Sequence, residues 1–118
     1  MRAKDAVGRY GEDVAEAHVR RRGWQVLERN WRCRDGELDL VALDGDELVV
    51  VEVKTRRSTA YGHPAEAVTA VKLARVRRLA AQWLAVHDVH PSSVRVDVIA
   101  VLLLRGRAAQ VDHLVGVV

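Results

Sequence analysis

The sequence predicts an α/β domain in which a mixed central sheet is flanked by helices. Three observations carry that expectation. Hydrophobic residues make up 49% of the 118 residues, so the chain can bury a core. Phe is absent and only three Trp and two Tyr are present, so the core must come from Val, Leu and Ala. Val-rich runs with strand character alternate with Ala-rich stretches of helical period. The length suits one domain, residues 1–118, with no room for a second independent core.

From about Lys4 to Arg22 the spacing is helical, with Val7, Tyr10, Val14 and either Ala17 or His18 marking an apolar face. Gly23 then suits a C-terminal cap. Trp24–Asn30 reads as a first strand, Arg32–Gly36 as a polar turn, Glu37–Leu43 as a second strand and Glu47–Lys54 as a third. Leu48–Val51 is apolar on both faces, the pattern of a central strand covered on both sides. Asp44-Gly45-Asp46 is a hairpin signal between the second and third strands. Thr55–Pro64 reads as a loop, and Ala65–Val86 as a long helix with Val68, Val71, Ala74 or Val76, Leu79 and Trp83 on its apolar face. After a loop broken by Pro91, Val94–Leu104 is a strand and Gln110–Leu114 a short last one. The order is α-β-β-β-α-β-(β).

Charged residues amount to 30%, which argues against disorder, and the net charge of +3 identifies no partner by itself. Arg is the default cation; the lysines are Lys4, Lys54 and Lys72. The single Cys33 cannot form an internal disulfide and has no neighbours for a structural zinc site. The N-terminal stretch is charged without an apolar signal segment, and the Val98–Leu104 run is too short to span a bilayer as a helix. The expectation is a soluble, cytoplasmic protein that does not enter a membrane.

Hairpin register brings the chemistry together. A two-residue loop at Gly45-Asp46, or a four-residue loop Asp44–Glu47, places Asp39 opposite Glu52. Directly paired Cβ atoms lie about 4.5–5.5 Å apart. A loop at Asp44-Gly45 makes the two carboxylates diagonal neighbours, and a three-residue loop needs a bulge to keep them on one face. Lys54, two residues beyond Glu52, shares its face. Two adjacent carboxylates at the end of an apolar strand repel and lose solvent. A divalent cation compensates, and hard oxygens suit Mg²⁺ or Mn²⁺, whose shell uses one or two carboxylates with substrate phosphates. The spacing alone fits a surface ion pair equally well, since a short E-x-K match is common by chance.

Glu37-Leu38-Asp39 and Glu52-Val53-Lys54 together resemble the PD-(D/E)xK nuclease superfamily. More specifically, the chain resembles the YraN-like family of uncharacterised bacterial proteins. The stretches that carry the likeness are Gly8-Arg9-Tyr10-Gly11-Glu12, Gly36-Glu37-Leu38-Asp39-Leu40-Val41, Val51-Glu52-Val53-Lys54-Thr55-Arg56 and Arg95-Val96-Asp97-Val98-Ile99. They span almost the whole chain in the expected order. Leu38 stands where the superfamily name has Pro, and Val96 where the family usually has Phe. The resemblance implies a restriction-endonuclease-like core, similar to archaeal Holliday-junction resolvases. It implies that Glu12, Asp39 and Glu52 are metal ligands, with the Val53 carbonyl as a further one, and that Lys54 is the catalytic lysine.

The second long helix carries Lys72, Arg75 and Arg78 at three-residue steps, with no acidic residue from Val68 to Val86 to pair with them. With Arg56, Arg57 and Arg9 they are candidates to grip phosphates beside the metal, without reading base sequence. Tyr61-Gly62-His63, and the metal-like spacing of His87 and His90, read more simply as turn and surface residues. Asp97 reads as structural, paired with Arg95 or another arginine; Glu66 suits the helix dipole. Glu16, one turn after Glu12, is either a spare carboxylate or solvent-facing. The expected activity is a Mg²⁺- or Mn²⁺-dependent endonuclease on nucleic acid, DNA first, with branched or flapped forms among the candidates. The alternatives are a nucleic-acid-binding module without cleavage and a protein-interaction domain. A chain this small has little surface for two-strand DNA, which a homodimer would extend, as in the resolvases it resembles.

Overall fold

The structure, a computed structural model, describes residues 3–57 and 69–117, of which 3–5 are described by backbone alone. The helical stretch near the N-terminus becomes α1, Ala3–Arg21. It ends as its sequence suggests. Gly23 adopts φ +86° and donates to Arg20 O at 3.0 Å, while Trp24 N–H donates to Val19 O at 3.1 Å. These are the two bonds of a Schellman cap, with Gly at the left-handed position that a side chain would strain. The buried face is rotated from the one expected, with Val14 packed partly buried at its edge. Gly11, Ala15 and Val19 are buried, and Tyr10 is 54% exposed. Small residues win that face because the helix packs very closely on the sheet, and a ring at its centre would hold it off.

Five strands follow in the sheet order β1-β2-β3-β4-β5. β1 (Gln25–Cys33) runs three residues past the expected Asn30. Arg32 and Cys33, expected in the turn, pair with Glu37 and Gly36, which also begins β2 (Gly36–Asp44). The Arg32 guanidinium bound to Glu37 at 2.6 Å and the Trp31–Leu38 pair extend the ladder to a tight turn. A bulge lies between Val26 and Glu28.

β2 meets β3 (Glu47–Arg56) through the Asp44–Glu47 pair, with Gly45 at φ +62°. The loop is thus the two residues Gly45-Asp46, and the register runs from Asp44↔Glu47 to Leu40↔Val51. β3 pairs in parallel with β4 (Ser93–Leu102), from Glu47↔Ser93 to Arg56↔Leu102. A parallel pair needs a crossover, which α2 (Ala70–Ala85) supplies. The helix was expected from Ala65, but Thr69 is extended (φ −103°, ψ 162°) and its side chain accepts from Lys72 N–H, capping a start at Ala70. Residues 65–68 lie outside the described residues, as do Tyr61, Gly62 and His63. β4 begins one residue before and ends two before its expected span, and β5 (Gln110–Leu114) closes the sheet antiparallel to it.

β3 alternates as a doubly covered strand should. Val49 and Val51 join Ala15, Val19, Trp24, Leu40 and Ile99 under α1. Leu48 and Val50 join Leu38, Val76, Leu79, Trp83 and Val96 under α2. Val71, expected on the apolar face of α2, is 74% exposed; Val76, Leu79, Ala80 and Trp83 form that face. The result is an α/β fold with a mixed sheet between helices, consistent with a restriction-endonuclease-like core. Among the described residues, no helix is long and apolar enough to cross a membrane.

Candidate active site

The ladder between β2 and β3 stops at Leu40↔Val51, and the next position on each strand is Asp39 and Glu52. There the Asp39 side chain takes over: its Oδ2 accepts the Val53 N–H at 2.8 Å. Burial, followed by the Glu52 charge, pushes the Asp39 carboxyl up to about 7; the Val53 N–H acts in the opposite sense, and Glu12 and Glu37 add to the rise. Lys54 Nζ lies 3.1 Å from Glu52 Oε1, and both side chains are 21% exposed. Of the loops considered, Gly45-Asp46 is the one present, and in that register Asp39 and Glu52 are the next positions after the last pair. The ion pair between Glu52 and Lys54 is present as well.

Glu12 lies on α1, on the other face of the sheet from the groove that Glu52 and Lys54 line, and bears on Asp39 through its charge. The residue before it, Gly11, sits so close to β3 that a Cβ would fall on Thr55 Oγ1 and lie within 2.8–2.9 Å of two further side-chain atoms. Glu12 also faces Arg29, at 3.6 Å. That guanidinium contacts Asp13 at 2.7 Å and Glu16 at 3.2 Å, and donates to Arg9 O at 3.1 Å. Glu16, held by Arg20 and Arg29 against the opposing effect of burial, titrates below the usual glutamate range. Arg29 was not singled out in the sequence, since nothing local reveals that a β1 cation lies over three α1 carboxylates.

On the α2 side, Glu52 and Lys54 open onto a groove lined also by Glu37, Lys72, Arg75, Val76 and Leu79. Lys72 and Arg75 are thus brought to the carboxylates. Arg78 lines an adjoining cleft with Asp35, Arg75, Leu79 and Gln82. Arg9 belongs to α1, which covers the other face of the sheet. Arg56 donates to Thr55 O at 3.2 Å, and Arg57 is exposed at the edge of the described residues. Glu37 is a site residue that the sequence reading used only as part of a motif.

Other candidates are placed elsewhere. His87 stacks on Trp83 with ring centroids 3.9 Å apart, and His90 pairs with Asp88. Asp97 is fully buried and held by Arg95, as expected, with Nε–Oδ1 at 2.9 Å. Among the described residues, no group of three or more His, Cys, Asp and Glu is arranged to hold a metal ion. What is gathered is a pair, Asp39 and Glu52. A pair of hard carboxylates under mutual repulsion fits an Mg²⁺-type ion, which completes its shell with water and substrate oxygens.

A model of the uncharacterised protein family UPF0102 matches residues 11–101. The chain belongs to the UPF0102 family. A UPF0102 protein of Beutenbergia cavernae is 66% identical over 117 residues, covering 99% of both chains. One from Arthrobacter sp. (strain FB24) is 53% identical over 117 residues, again covering 99% of both. One from Frankia alni is 57% identical over 116 residues, covering 98% of this chain and 97% of its own. The UPF0102 match includes Gly11, Glu12, Asp39, Glu52, Val53 and Lys54, and it bears out the YraN-like resemblance at the level of family.

Proposed function

We propose that this UPF0102 chain is a divalent-metal-dependent endonuclease that hydrolyses phosphodiester bonds in nucleic acid, DNA first. One observation carries the reading: a half-buried carboxylate, Asp39, lies beside Glu52 and Lys54 at the point where two strands part. Bringing like charges together while stripping much of their water is costly unless something compensates, and such arrangements cluster at functional sites. Asp39 and Glu52 would hold Mg²⁺ or Mn²⁺, with the Val53 carbonyl and Glu12 as the further ligands the family likeness suggests. Bound there, such an ion supplies charge to a phosphate and acidity to a water.

The chain's own groups have separate parts. The Val53 N–H fixes the orientation of Asp39. Lys54 is a compact ammonium lining the groove, placed to neutralise charge developing on a phosphate. Lys72 and Arg75 hold the neighbouring phosphates without reading bases. A second reading, a nucleic-acid-binding module that does not cut, keeps Lys72 and Arg75 as phosphate contacts and takes the Glu52–Lys54 ion pair as structural.

The test is cleavage of labelled single-stranded, duplex, flapped and four-way-junction DNA in Mg²⁺ and in Mn²⁺. Wild type is compared with Glu52→Ala, prepared identically and checked for an unchanged melt. Cleavage by wild type alone upholds the nuclease. Equal cleavage by the variant sinks it, and salt-sensitive binding with no cleavage in either metal favours the module.

A further inference from the structure

The groove beside Glu52 and Lys54 and the cleft beside Arg78 share two residues, Arg75 and Leu79. They form one trough along α2, leading away from the carboxylates. Its two lips carry opposite charge. On the α2 lip stand Lys72, Arg75 and Arg78. On the sheet lip stand Asp35, Glu37 and Glu52 with one cation, Lys54, paired to Glu52 at 3.1 Å, so this lip is net negative. Arg32 binds Glu37 at 2.6 Å, but neither it nor Arg34 lines the trough.

The lips come together at the shared residues. A Cβ on Gly36 would meet Leu79 Cδ1 at 3.1 Å and Arg75 Cδ at 3.9 Å, so strand and helix are already in contact there. A duplex carries two phosphate strands, about 6 Å apart across the minor groove or about 12 Å across the major. Laid along this crease, one strand would meet the cations and the other the carboxylates. A lone strand avoids that repulsion. Its phosphates can follow the α2 cations, which span about 9 Å of helix from residue 72 to 78, while its bases turn toward the acidic lip. Arginine guanidinium planes also stack on unpaired bases.

We infer that the trough along α2 binds a single-stranded segment of nucleic acid and leads it to Asp39 and Glu52. This deepens the nuclease proposal by naming the form of substrate, but the binding half stands without cleavage.

The experiment is fluorescence anisotropy in EDTA, where no cleavage intervenes. Labelled oligonucleotides of about 12 nucleotides, within the ~4–16 of single-strand sites, are compared with their own duplexes, as DNA and as RNA. Tighter binding of either single strand than of its own duplex, by about ten-fold or more, is expected. The double variant Arg75→Gln/Arg78→Gln should lose most of that affinity. Its salt slope should fall by about 1.4, from two lost contacts at ~0.7 each. Arg107→Gln, on an exposed residue outside the trough, should bind as wild type. Equal or tighter duplex binding, unchanged binding by the folded double variant, or no binding at low salt each overturns the inference. Retained single-strand preference in a protein that cuts nothing in Mg²⁺ or Mn²⁺ sinks the nuclease proposal and leaves the trough standing.

Discussion

The Val53 N–H donates to Asp39 Oδ2 at 2.8 Å; Asp39 is one residue, and Val53 two, beyond the last Leu40↔Val51 pair of the ladder. A side chain thus replaces a backbone carbonyl as the acceptor, and the two strands are free to part at the candidate site. Asp39→Asn keeps an acceptor there and removes the charge that Glu52 opposes. The variant should fold, melt at neutral pH no lower than wild type in the absence of metal, and cleave at least about 100-fold more slowly. Thermal melts beside single-turnover cleavage check both halves.

Metal should act on stability as well as activity. An ion that binds the folded chain at about 100 times its Kd stabilises by ~2.7 kcal/mol, a rise of about ten degrees in Tm for a domain of this size. Mn²⁺ and Mg²⁺ should raise the wild-type Tm, and EDTA should reverse the rise. Glu52→Gln should remove it. Glu12→Gln should reduce it while moving the metal-free stability by only about 0.5 kcal/mol, since the Arg29 contact is loose at 3.6 Å. An unchanged metal response in Glu12→Gln would remove Glu12 from the ligand set.

Gly11→Ala tests the seating of α1. Alanine gains about 1 kcal/mol of helix propensity over glycine. Here its Cβ collides with Thr55, whose Cγ2 and Cβ would lie at 2.8 and 2.9 Å. The collision should win, with a net loss of about 1–3 kcal/mol in denaturant melts. Thr55→Ala in the same chain should recover much of it, and a double-mutant cycle should show strong coupling between the two positions.

The buried Asp97 should make stability pH-dependent. Burial alone would raise its carboxyl, but hydrogen bonds from Arg95, the Gly116 N–H and His113, with the Arg95 charge, outweigh burial and hold it below the usual aspartate range. A lowered pKa stabilises the fold above the unfolded value, and that stability is lost as pH falls through the folded one. Asp97→Asn should therefore cost about 2–4 kcal/mol at pH 7. The gap to wild type should shrink steadily below about pH 4, near the unfolded carboxyl value. Urea melts at several pH values measure it, and a gap that widens in acid would contradict the network as described.

The same Asp97 shows where sequence reading stops. Its pairing with Arg95 is a strand i,i+2 relation and was legible. A further partner, His113, at 2.7 Å, lies on the edge strand. His113 in turn meets His18 of α1 at 3.1 Å, across 95 residues. Burial, then the charges of His113, Arg22 and Arg21, lower the His18 pKa. No periodicity in the sequence points to that chain. The expected Tyr10 face of α1 failed for a related reason: hydrophobic spacing reports what can be buried, whereas Gly11 was chosen by how closely the helix approaches Thr55.

The sequence by itself determined the strands and a hairpin at Asp44-Gly45-Asp46 whose even-length loops all put Asp39, Glu52 and Lys54 on one face; the Asp44↔Glu47 pair of the structure chose the loop Gly45-Asp46. The strands and the shared face follow from alternation and turn chemistry, which act between near neighbours in the chain. Only the tertiary structure decided that Arg29 faces Glu12, that Glu37 joins the groove, and that α2 sets Lys72 and Arg75 beside the carboxylates. Those meetings depend on how helices seat across a sheet, a matter of packing between distant segments that local pattern does not encode.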